Sequence, residues 1–95
     1  MKDPKHLAAI RELPCCICEA FGEQQTSPTT AHHTMCGRYS QKKTSDLKAI
    51  PLCDGHHQGL FDTSKIAFHK ERKSWVELYG QDTDYIAGTL DRLGL

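Results

Sequence analysis

Two residues separate Cys15 from Cys18, and two residues separate Cys53 from His56. This spacing lets a tight turn aim both side chains of a pair at one point, and two such pairs from distant parts of a chain supply four ligands to a tetrahedral ion. A Cys3His set suits zinc. A chain of 95 residues is one domain at most, and its small core gains most from such a clamp. The competing reading makes these cysteines small buried hydrophobes, as free cysteine often is. Disulfides are disfavoured: five cysteines is an odd number, and the chain opens without the apolar run of a secretory signal. The expected compartment is therefore reducing and cytoplasmic. No stretch approaches the roughly 20 apolar residues that span a bilayer, so no membrane role is expected. Cys16, inside the first pair, points away from it toward a core. Cys36, in a polar stretch, is a free thiol or an alternative ligand.

Hydrophobic spacing and punctuation predict an α+β domain. A helix over 4–13 has Asp3 as N-cap, Pro4 at its first position, Leu7, Ile10 and Leu13 at helical spacing, and Pro14 as its stop. Extended segments are predicted over 29–34 and 47–52, with a polar loop between them and a short helix beginning near Asp54. "HKERKSWVELYG" reads as a helix ending at Gly80 with Trp75, Leu78 and Tyr79 inward, and Ile86, Ala87, Leu90 and Leu93 mark a last helix started by Asp82 or Thr83.

A second set of residues carries the chemistry: the pair His32–His33, then Asp46, then His57 directly after the zinc ligand His56. Adjacent residues at a strand end point in opposite directions, so one of His32 and His33 can bind a metal while the other faces a substrate. Metal-assisted hydrolysis needs that division, because an ion with few protein ligands keeps open positions and a neutral imidazole deprotonates water near neutral pH. The charge pattern adds little alone. Residues 38–73 carry eight Lys or Arg against four Asp or Glu, and acidic residues dominate the end of the chain, for a net charge of zero.

The order of these elements resembles the HNH, or ββα-metal, nucleases, whose zinc-knuckled members read C-x2-C, a His-His or Asp-His pair, Asn-Leu, and a second knuckle followed directly by His. Here they are Cys15 and Cys18, His32-His33, Asp46-Leu47, and "LCDGHH". The stretches "HLAAIRELPCCIC", "AHHTMCGR", "IPLCDGHHQG" and "FHKERKSWVELYG", across residues 6–80, are similar to the RecA-dependent phage recombination nucleases within that group. The resemblance implies a single domain over 1–95: helix 4–13, a zinc knuckle and ββα core over about 14–62, and C-terminal helices over about 69–93. It implies His33 as general base and His32 and His57 as ligands of a catalytic Mg2+ or Mn2+, with His56 turned to a structural Zn2+. Asp46 stands where the family has Asn, which braces the loop carrying the base; an ionised Asp accepts hydrogen bonds but cannot donate them. His69 is a candidate third ligand, a phosphate contact or a structural histidine. Arg38, Lys42 and Lys43 suit phosphate contact, or are solvated loop charges. The implied activity is phosphodiester hydrolysis in DNA, single-stranded or in strand-exchange intermediates, beside a RecA-type filament. Two other readings are a zinc-knuckle module that binds DNA or protein without catalysis, and a free-standing HNH nuclease of restriction or homing type.

Overall fold

A computed structural model describes residues 2–36 and 45–95, so Arg38, Lys42 and Lys43 lie outside the described residues. Helix α1 (Pro4–Arg11) is entered as expected: the Asp3 side chain accepts the His6 amide at 3.1 Å and Pro4 needs no partner for a missing N–H. It ends two residues before the predicted limit, and its buried residues are His6 and Ile10, with Leu7 and Leu13 only half-buried. Helix α2 (Cys16–Ala20) follows Pro14 at once, with Cys15 as its N-cap residue.

Strands β1 (Thr29–His33) and β2 (Ala49–Cys53) form an antiparallel pair in which Thr29 faces Cys53 and His33 faces Ala49. A 3-10 turn over Asp46–Lys48, started by Ser45 accepting the Leu47 amide at 3.2 Å, takes up the first residues of the predicted second strand. All five residues of β2 are buried, since α1 and α2 and the last helix all pack on it. That explains its unbroken apolar run, where a half-exposed strand would alternate. Helix α3 (Asp54–His57) follows without a linker and contacts both strands, giving the order strand, strand, helix of a ββα-metal-like domain. The α+β class holds.

After α3 the chain turns at Gly59 (φ 63°), where an added Cβ would lie 3.0 Å from that of Ala67. The Asp54 carboxylate accepts the amides of Leu60, Phe61 and Asp62 at 3.3, 2.8 and 2.8 Å, so this loop is tied to the start of α3. The return segment is tied to its end: Phe68 N donates to His56 O at 2.9 Å and His69 N to His57 O at 3.0 Å.

Helix α4 (Arg72–Tyr79) buries Trp75 completely, and the indole Nε1 donates to His56 O at 3.0 Å. Leu78, expected inward, is 56% exposed. At about 100° per residue Trp75, Val76 and Tyr79 share one face and Leu78 falls beyond its edge. A 3-10 turn (Asp82–Tyr85) leads into α5 (Ile86–Arg92), where the inward stripe is again displaced from the expected one. Ala87 is exposed and Thr89 is buried, its hydroxyl donating to Tyr85 O at 2.8 Å. Asp82, read from the sequence as a helix start, is fully buried. Among the described residues no helix is long and apolar enough to cross a membrane.

Candidate metal centres

Cys15, at the N-cap of α2, Cys18 within α2, and Cys53 and His56 from the β2–α3 junction meet in the interior, all four buried. The His56 Nδ1 atom lies 3.6, 3.5 and 3.4 Å from the sulfurs of Cys15, Cys18 and Cys53, and the sulfurs of Cys18 and Cys53 are 3.9 Å apart. Tetrahedral zinc bonds of about 2.3 Å to sulfur and about 2.0 Å to nitrogen imply edges of roughly 3.8 Å between sulfurs and roughly 3.5 Å from sulfur to nitrogen. These four spacings are those of a zinc-sized tetrahedron, and all four ligand atoms lie within 4.8 Å of one another. His56 Nε2 faces Glu23 at 3.3 Å, and Glu23 also takes the Tyr79 hydroxyl at 3.0 Å. Cys36 is not part of this group; it is buried near Arg72, whose Nη2 is 3.8 Å from its sulfur, and burial pushes its thiol pKa up. Cys16 packs against the core as expected, its pKa also raised by burial.

One residue beyond His56, the ring of His57 points elsewhere. His32, His57 and His69 form a second group, each offering one nitrogen and these all within 4.8 Å of one another. Ring centroids are 4.9 Å apart for His32 and His57, 5.4 Å for His32 and His69, and 5.1 Å for His57 and His69. His32 and His57 are buried and His69 is exposed. Burial, and then the neighbouring His32 and His69, lower the His57 pKa to about 3. Burial, and then His32 and Arg72, push His69 down too. Rings held neutral in this way are the form that ligates metal.

His32 Nε2 lies 2.8 Å from Asp82 Oδ2, and its Nδ1 is buried without a hydrogen-bond partner among the described residues. An orphaned buried nitrogen beside two further imidazoles fits a metal ligand, and the cluster passes that test of chemistry. His57 Nδ1 lies 2.7 Å from Thr30 Oγ1, whose own proton goes to Leu52 O at 2.7 Å.

His33 points the other way along β1. Its side chain is 39% exposed and its Nε2 lies 2.7 Å from Asp46 Oδ1. The second carboxylate oxygen of Asp46 accepts the Asp3 amide at 2.6 Å. That backbone bond first, and then the imidazole, hold the Asp46 pKa below its ordinary value. An Asn in this position is not required, because both partners of Asp46 are donors. Ala31, His32, His33, Met35, His57, Gln58 and His69 line one cleft of about 410 Å³, so the exposed imidazole and the three clustered ones open on the same space.

The family model described as "Protein of unknown function (DUF968)" matches residues 1–93. The chain belongs to the DUF968 family. No curated protein and no solved structure matches it significantly. For a DUF968 chain the residues that sequence reasoning overlooked are Asp82 and Thr30, which touch the cluster without belonging to any ligand pattern. Asp82 lies 50 positions from His32, and only its fold neighbour reveals it.

Proposed function

We propose that this protein is a metal-dependent DNA endonuclease of HNH type. The observation that carries the reading is the shared cleft: a half-exposed His33, oriented by a carboxylate, opens on the same space as three imidazoles able to hold an ion. Asp46 can only accept, so His33 carries its proton on Nε2 and presents the Nδ1 lone pair as the base that takes a proton from attacking water. Asp46 is a positioning residue. An ion held by His32, His57 and His69 would supply Lewis-acid polarisation of the scissile phosphate. Of the expected Mg2+ and Mn2+, nitrogen ligands favour Mn2+ or a later transition ion. The sulfur-rich group, occupied by Zn2+, would hold α3 and so the direction of His57.

The substrate is DNA opened or presented by a RecA-type filament, on two grounds. One is the resemblance of residues 6–80 to the RecA-dependent phage nucleases. The other is charge: a surplus of four over residues 38–73 on a chain of zero net charge neutralises few phosphates, so unaided binding should be weak and salt-sensitive. Arg38, Lys42 and Lys43 are the proposed phosphate contacts. The test is cleavage of supercoiled plasmid and of a single strand in EDTA, Mg2+ and Mn2+, each with and without recombinase, ATP and a homologous oligonucleotide. Metal-dependent cutting that rises with the filament is expected. Equal rates with and without filament would point to a free-standing nuclease, and no cutting under any condition would leave a binding module.

A further inference from the structure

We propose that Asp82 is a positioning residue of the imidazole cluster, holding His32 as a ligand through Nδ1. The inference rests on the cluster being a metal site, as proposed above. Asp82 is fully buried, and a carboxylate is costly to bury unless something needs it there. The turn it begins does not need it: the Gln81 amide is taken by Asp84 Oδ2 at 3.1 Å. Its oxygens reach instead across the molecule, to His32 Nε2 at 2.8 Å and to the amides of Met35 and Cys36 at 2.7 and 3.0 Å. Both carboxylate oxygens are already engaged as acceptors of these amides, so Asp82 meets His32 as a carboxylate.

A carboxylate accepts only, so the proton of His32 sits on Nε2 and its lone pair on Nδ1, the buried nitrogen without a partner among the described residues. The two backbone amides fix the carboxylate, and the carboxylate fixes the ring. Without it the ring is free to take the other tautomer, which would aim a proton into the cluster. Thr30 does the same for His57 from the opposite nitrogen. Its single hydroxyl proton is spent on Leu52 O, so it accepts from His57 Nδ1 and leaves Nε2 for the cluster. The site is therefore set before an ion arrives, with Nδ1 from one ring and Nε2 from the other.

The experiment uses the full chain carrying one equivalent of zinc. Long-range proton–nitrogen spectra of the histidine rings, taken without a second metal, should show His32 with its proton on Nε2. Titration with Co2+, followed by its visible bands, should then show Asp82→Asn weakened about tenfold or more, as loss of an outer-shell partner generally does. Asp82→Asn keeps an oxygen for one of the two backbone amides, and its zinc content reports on the fold. Thr30→Val should weaken Co2+ binding similarly without touching Met35 or Cys36. A wild-type spectrum with the His32 proton on Nδ1 would overturn the proposal, even if Asp82→Asn failed to fold. So would Asp82→Asn binding Co2+ as tightly as wild type. Absence of Co2+ uptake by the wild type would overturn the metal reading beneath it as well, and DNA cleavage is not needed for any of these outcomes.

Discussion

Cys15, Cys18, Cys53 and His56 close on one another from all sides, all buried, at the distances of a filled tetrahedron. His32, His57 and His69 close on one side only and leave the other to a cleft that also holds His33. The two groups share helix α3, one residue apart, yet differ in donor, burial and access. A closed site has no position for a substrate and can only bind structure together, whereas a three-ligand site beside a cleft has room for chemistry. The contrast also separates what each should cost to lose.

The largest effect should follow from breaking the closed group. Structural zinc of this kind contributes on the order of 10 kcal/mol, comparable to the whole stability of a small domain. Cys18→Ser should therefore lose zinc and unfold, seen together in elemental analysis and far-ultraviolet circular dichroism. A folded Cys18→Ser protein without zinc would erase the distinction between the groups.

Next in size is the open side. His33→Ala should cut DNA about 100- to 10,000-fold more slowly, the usual contribution of a general base, with zinc content and melting temperature unchanged. His57→Ala should lose activity in a different manner, recovering part of it at higher Mn2+, because added metal offsets a weakened site but cannot replace a base. Activity retained in His33→Ala would shift the role of base to His32.

How much of this contrast could be read from the chain alone depends on distance along it. The closed group was visible in its spacing, since two ligands per turn are a local property. Strands 29–33 and 49–53 and the cap of α1 were legible for the same reason, each written in neighbouring residues. The third imidazole was not decided, because His69 reaches the cluster only through backbone bonds from residues 68 and 69 to α3. Leu78 and Ala87 misled the helix stripes, since apolarity marks a candidate face but the packing partner selects it.

Acid should expose a smaller difference. The folded pKa of His57, about 3, lies below its ordinary value of 6.5, so the unfolded chain takes up a proton that the folded chain refuses. The stability it contributes is complete above pH 6.5 and is lost as pH falls toward 3. Between pH 7 and 5.5 wild type should lose roughly 1 kcal/mol from this source, read from urea midpoints, and His57→Gln should lose less. Equal losses would mean that the cluster protonates freely. The smallest effect belongs to Leu78→Gln, on a residue 56% exposed in neither group, which should change stability by less than about 0.5 kcal/mol in the same measurement.

The bond between His32 and Asp82 has a consequence in time. A chain leaving the ribosome releases β1, α3 and His69 before residue 82 emerges, at roughly 5–20 residues per second. During that interval the three imidazoles are present but the carboxylate that orients His32 is still in the exit tunnel. His32 is thus given its orientation by a residue made 50 positions later, and the proposed metal site is complete only once the segment carrying Asp82 has packed back onto β1.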